Sequence, residues 1–168
     1  MKNRDVFEGF LASGKTPQAK AIIKGSATRP QITGVVSFYS VPNGTMVKVE
    51  VNGLPNYQPA IANLSPVGPF GFHIHAGSSC GLGDGKNPYE AALGHYNPDN
   101  QPHGNHAGDL PVLFSNDGMA RMIFFTNRFK PADVIGKTII IHQNPDDYRT
   151  QPAGNSGVRI ACGVIEKT

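Results

Sequence analysis

The chain has 168 residues, with 20 Gly, 14 Pro, six His, two Cys and no Trp, a length that fits one domain of the usual ~100–200 residues. So many turn formers exclude a bundle of long helices, and 39% apolar residues exclude a disordered chain. The 15 Lys plus Arg outnumber the 12 Asp plus Glu for a net charge of +3, but they are scattered singly, which excludes the concentrated basic face of a nucleic-acid binder.

Residues 1–18 show no sustained period and read as an N-terminal extension, with Ser13-Gly14-Lys15-Thr16-Pro17 as a leader loop ahead of a domain over 19–168. The start, Met1-Lys2-Asn3-Arg4-Asp5, runs into Glu8 and Gly9 rather than the apolar stretch of a secretory signal, so the chain as written reads as cytoplasmic or as already processed. From Ala19 the pattern turns to alternation. Ala19, Ala21 and Ile23 interleave with Lys20, Ile22 and Lys24, and Val47, Val49 and Val51 with Met46, Lys48 and Glu50, the period of half-buried strands. Further strands are expected at 34–39, 70–75, 111–114, 119–126, 138–141 and 158–164. Pro42-Asn43-Gly44, Asn116-Asp117-Gly118 and Ile135-Gly136-Lys137 supply turns. Eight strands at short spacing make an antiparallel sandwich or barrel. The one helical expectation is a single turn within 87–92, and the longest apolar runs, such as 138–141, are far short of the ~20 residues that span a bilayer. Two long stretches poor in strand formers, 76–110 and 143–157, read as functional loops.

All six histidines fall between positions 73 and 142. In Phe72-His73-Ile74-His75 the alternation of a strand puts both imidazoles on the face away from the apolar core, roughly 6.5–7 Å apart at the backbone and within reach of one metal ion. His95, His103, His106 and Asp109 place three imidazoles and a carboxylate within fifteen positions among turn formers, a donor set that suits four-coordinate zinc. His142 closes the apolar strand at 138–141, and with His73 and His75 it offers three rings to one ion, which suits copper as well as zinc. Two adjacent metals become thinkable, against the plainer alternative of surface histidines and an Asp109 that closes a turn. Two cysteines are too few for a disulfide-dense scaffold and wrongly spaced for a zinc knuckle, which leaves one bridge or two buried thiols.

The strings Gly71-Phe72-His73-Ile74-His75, Gly94-His95-Tyr96-Asn97-Pro98, His106-Ala107-Gly108-Asp109-Leu110-Pro111 and Gly154-Asn155-Ser156-Gly157-Val158-Arg159-Ile160-Ala161-Cys162-Gly163-Val164-Ile165 resemble the copper/zinc superoxide dismutase family, over about residues 19–168. Cys80, five positions after His75, resembles the bacterial-type branch. The resemblance implies an all-β, eight-stranded antiparallel Greek-key sandwich or barrel with two long functional loops. It implies an enzyme, a superoxide dismutase that cycles Cu(II) and Cu(I) beside a structural zinc to convert two superoxide anions and two protons to oxygen and hydrogen peroxide. By the same resemblance His73, His75 and His142 bind copper, His95 bridges copper to zinc, and His103, His106 and Asp109 complete the zinc site. Asp146 matches a carboxylate that hydrogen-bonds ligands of both metals. His95 and Arg159 are the implied catalytic residues, the arginine drawing in and orienting the anion, and Cys80 and Cys162 match an intrasubunit disulfide. The implied partners are superoxide as substrate and a copper donor, with no nucleic acid and no membrane span.

Three features depart from the family pattern. His103 and His106 stand three positions apart, where the family usually has several more residues between these ligands, so the zinc subloop is shortened. Ala76 follows the second copper histidine, where an acidic residue is common, and residues 1–18 have no counterpart in the minimal fold. Two other readings compete: a metal-binding homologue that stores or delivers copper or uses zinc structurally, and a non-metal sandwich that binds a protein or carbohydrate. The second leaves the histidine cluster unexplained.

Overall fold

Alternating apolar residues build seven strands in the computed structural model, which describes residues 9–10, 14–62, 66–81, 83 and 88–168. They are β1 (Ala19–Gly25), β2 (Thr33–Val41), β3 (Gly44–Asn52), β4 (Phe72–His75), β5 (Ala120–Thr126), β6 (Thr138–His142) and β7 (Arg159–Lys167). All pair antiparallel in one sheet of order β4-β6-β7-β1-β2-β3-β5. From β3 the chain passes to the far end of the sheet at β4, returns to β5 beside β3, and crosses back to β6 beside β4, the Greek-key manner of connection. Ala21 and Ile23 of β1, Val47 and Val49 of β3, Phe72 and Ile74 of β4, and Ile139 and Ile141 of β6 share one buried core cluster. Laid flat, six inter-strand steps of about 4.8 Å would hold β4 and β5 nearly 30 Å apart. Instead Phe70, just ahead of β4, exchanges backbone hydrogen bonds of 2.9 Å in both directions with Leu113, which leads toward β5. The sheet is therefore curled on itself around the core.

That single bridge is all that forms of the eighth strand expected at 111–114. Pro111 has no N–H, and the Val112 N–H donates to the Tyr148 hydroxyl at 3.0 Å, so only Leu113 has both backbone groups free to pair. Helix is also distributed differently from expectation. Within 87–92 only a 3-10 turn at Glu90–Ala92 appears, Asn87 lying outside the described residues. A four-residue α1 (Pro131–Val134) forms where no period announced it, because Pro131 presets the first turn and the Asp133 carboxylate accepts the Lys130 N–H at 2.8 Å. Of the expected N-terminal extension, residues 1–8 and 11–13 lie outside the described residues. Among the described residues no helix is long and apolar enough to cross a membrane.

The stretch 76–110 crosses the outer face of β4 and is tied to β7 by the disulfide Cys80–Cys162, whose Cα atoms are 5.7 Å apart across a separation of 82 residues. A covalent loop of that length is worth roughly 4–5 kcal/mol in the chain-entropy description.

Candidate metal centre

The free edge of β4 gathers the site. Ile74 N donates to Gly108 O at 2.9 Å and Tyr96 N to Ile74 O at 2.8 Å, while Ala76 N donates to Gly94 O at 2.9 Å. Two pieces of the long loop thus run along the edge as short pseudo-strands, giving the isolated bridges His75↔His95 and His73↔Asp109. Gly108 permits the approach, since a Cβ there would lie 2.3 Å from Ile74 O. Phe72 and Ile74 face the core, and His73 and His75 take the opposite face, as alternation requires. That face is not bare: the loops cover it, leaving His73 0% and His75 1% exposed. His142 ends β6 on the same side. Beyond it the pairing shifts, Ile141 opposing Ala161 but His142 opposing Arg159, so Ile160 is the extra residue of a bulge that sets Arg159 beside His142.

Two donor groups result, and His95 belongs to both. His73, His75, His95 and His142 have ligand atoms within 4.8 Å of one another, and so do His95, His103, His106 and Asp109. The hydrogen bonds around them fix which nitrogens are free. His75 Nδ1 lies 2.8 Å from Leu93 O and His142 Nδ1 3.2 Å from Gly157 O. A carbonyl only accepts, so each Nδ1 carries the proton and each Nε2 carries a lone pair. Those two Nε2 atoms face each other at 3.3 Å, an arrangement of two acceptors that a shared cation satisfies. Asp146 accepts from His73 Nε2 at 2.7 Å and from His103 Nε2 at 2.8 Å. The Nδ1 atoms of both rings are left buried without a partner, as is Nε2 of His95. On the other side, Asp109 lies 2.8 Å from His95 Nδ1 and 3.3 Å from Nδ1 of His103 and of His106. Orphaned nitrogens that converge, oriented from behind by a carboxylate and by carbonyls, are what a metal-ligating imidazole set requires, and both groups fit a bound cation.

Arg159 is half-buried, and its guanidinium donates to Tyr89 O and, at 2.6 Å, to Leu93 O on either side of the 3-10 turn. Leu93 O thus receives both Arg159 and His75 Nδ1, linking the arginine's placement to the ring beside it. The sequence reading named all of these side chains, and the structure brings every one of them into this cluster.

The sequence model for copper/zinc superoxide dismutase (SODC) matches residues 32–165. The chain belongs to that family. It is 39% identical over 153 residues to a Cu-Zn superoxide dismutase of Deinococcus radiodurans, covering 81% of this chain and 78% of that one. A second Cu-Zn enzyme of the family, from Salmonella typhimurium, is 42% identical over 136 residues, covering 73% and 78%. Among solved structures, the Cu/Zn superoxide dismutase of Brucella abortus superposes with a TM-score of 0.71 at 32% identity, over 88% of this chain and 99% of that one. The family implies copper and zinc, and the two donor groups supply the imidazoles and the carboxylate to hold them.

One residue of this family member escaped the sequence reading. Gly154 has φ of +64°, and a Cβ there would lie 1.8 Å from Asp146 Oδ1 and 2.6 Å from His103 Nε2. The Asp146 to His103 hydrogen bond exists only because position 154 has no side chain. Gly154→Ala should push Asp146 off His103 and weaken metal retention about tenfold or more, read as metal content after dialysis against a chelator. Wild-type retention in that variant would show that the contact is relieved by a harmless shift. The only sequence signal was a Gly inside a Gly/Ser-rich string, which does not say what the glycine approaches.

The burial of the site sets a pH dependence. Burial pushes the His73 imidazole down to about 4 against the pull of Asp146, and it pushes His75 and His142 well below 6.5. Burial alone would raise Asp109, but its hydrogen bond to His95 and the surrounding histidines hold it at about 2. In each case the folded value lies below the unfolded one. As pH falls through 6.5 and then 3.8, the unfolded chain takes up protons that the fold refuses, and stability is lost. The metal-free protein should therefore keep a constant unfolding midpoint from pH 8.5 to 7 and lose stability steadily toward pH 4, with His73 alone contributing on the order of 3 kcal/mol. A midpoint unchanged between pH 7 and 5 in denaturant titrations would contradict this.

Proposed function

We propose that the chain dismutates superoxide, with copper held by His73 Nδ1, His75 Nε2, His95 Nε2 and His142 Nε2, and zinc by His95 Nδ1, His103 Nδ1, His106 and Asp109. One observation carries the reading. His95 belongs to both donor groups, with Nδ1 turned to Asp109 and Nε2 buried and unpartnered. When bound, copper supplies the one-electron couple that takes an electron from one superoxide and returns it to a second, and zinc, which has no redox couple, supplies fixed charge. The protein does the rest. Asp146 keeps His73 and His103 in the tautomer that leaves Nδ1 free, and the carbonyls of Leu93 and Gly157 do the same for Nε2 of His75 and His142. His95 Nε2 is where the chain can hold a proton on the copper side, because nothing else in the protein accepts it there. That proton and one from water complete hydrogen peroxide, so two superoxide anions and two protons give oxygen and hydrogen peroxide. Arg159 has two donors fixed on carbonyls, and the remainder of its five N–H groups attract and orient a small anion.

The test is a dismutase assay on protein reconstituted with copper and zinc, with metal content measured on the same sample. Both metals bound and superoxide consumed well above the rate of buffer are the expected result. Full metal content without activity would reject dismutation in favour of copper storage or delivery.

A further inference from the structure

The zinc half of the site depends on a subloop that has little to hold it. Between Pro102 and Asp109 the backbone makes two successive turns, closed by Asn105 N to Pro102 O and by Asp109 N to His106 O, both at 3.1 Å, with neither helix nor strand ladder. Yet it must aim His103 and His106, only three positions apart, at one point; their ring centroids lie 5.3 Å apart and both rings face Asp109. From inside, Asp109 Oδ2 accepts Gly104 N at 2.8 Å and His106 N at 3.0 Å, but that carboxylate is itself a member of the donor group and is not an independent anchor.

Two side chains from elsewhere grip the backbone of the two histidines. Gln151, from the loop at 143–157, accepts His103 N on Oε1 at 2.9 Å and donates from Nε2 to His103 O at 3.3 Å, a two-point clasp that imitates a strand pair. Its amide is oriented by a further 3.3 Å bond from Nε2 to Arg149 O. Arg128, just beyond β5, donates from Nη1 to His106 O at 3.0 Å. Among the described residues this is the only hydrogen bond its guanidinium makes, and no carboxylate pairs with it. Neither residue belongs to a donor group, so each can hold the backbone without competing for an ion.

We propose that Gln151 and Arg128 are positioning residues for zinc, clasping the backbone of His103 and His106 so that the shortened subloop presents both Nδ1 atoms before an ion arrives. The inference rests on the zinc assignment made above. An ungripped loop would have to be ordered by the ion itself, at a cost in affinity.

The test measures zinc affinity by chelator competition and zinc release to a chromogenic chelator, using full-length protein loaded with copper and zinc. Gln151→Ala and Arg128→Met should each weaken zinc binding and speed its release about tenfold, and the double variant should do more than either. Copper retention should stay at the wild-type level, which a general loosening of the fold would not allow. Arg128→Lys, which keeps a donor, should recover most of the loss. The sign is informative, because deleting a nearby positive charge would by itself tighten a cation; weaker binding therefore reports the lost hydrogen bond. Wild-type zinc affinity and release in the single and double variants, or equal loss of both metals, would overturn the proposal. An effect confined to one residue would overturn the assignment of the other. Wild-type protein that takes up no zinc would overturn both this inference and the zinc reading beneath it.

Discussion

His142→Ala should lower dismutation by roughly a hundredfold or more, with copper content falling in step while zinc is retained. His142 supplies the Nε2 that faces His75 Nε2 at 3.3 Å, and no other side chain in the group can replace it. Losing a direct ligand must cost at least as much as losing a partner behind one, which is worth about 10–100-fold in metal affinity. The fold should survive, because the His142 N–H donates to Gly71 O through the backbone and the core is packed by Ile139 and Ile141 on the other face of β6. The zinc group of His95, His103, His106 and Asp109 does not include the deleted ring. Metal analysis beside the assay checks the claim. A variant with wild-type copper and activity would remove His142 from the site, and a variant that loses both metals together would mean that the cluster does not divide as assigned.

The second large effect is expected from Asp146→Asn, at a residue that binds no metal in this scheme. The carboxylate accepts one proton from Nε2 of His73 and another from Nε2 of His103, and its Oδ1 also accepts Tyr148 N at 2.7 Å. Those histidines hold its pKa below the ordinary carboxylate value against the upward push of burial. An amide has one acceptor oxygen and one NH₂, so one histidine would meet a donor. Its ring would shed the Nε2 proton and carry it on Nδ1 instead, occupying the atom that should bind an ion. Affinity should fall about 10–100-fold on the affected side, with little change in the stability of the metal-free protein. Because Asp146 touches one histidine of each donor group, competitive titration with each metal will show which ring yields. Unchanged affinity for both metals would mean that the tautomers are set by something other than Asp146.

Local chemistry was the legible part of the sequence. Alternation at Val47, Val49 and Val51 and at His73 and His75 fixes which face each side chain takes, and β3 and β4 follow it. The clustering of His95, His103, His106 and Asp109 pointed to a metal because ligand identity is a property of residue type. Features set by distant partners could not be read. The strand expected at 111–114 shrinks to one bridge because Tyr148, more than thirty positions away, takes the Val112 N–H. The bulge at Ile160 depends on how β7 registers against β6. Gly154 matters only because the fold sets it against Asp146 and His103, and nothing local marks Gln151 or Arg128 as grips on the backbone of two histidines. The seven-stranded barrel and its paired donor groups were thus visible in outline, while the contacts that tune them were not.

The shared ring of His95 can be tested directly by loading copper(II) into both donor groups and recording the electron paramagnetic resonance spectrum. One imidazole joining the two ions through Nδ1 and Nε2 predicts a magnetically coupled pair, with the ordinary single-ion signal strongly diminished. Two independent copper(II) signals at full intensity would contradict the bridge.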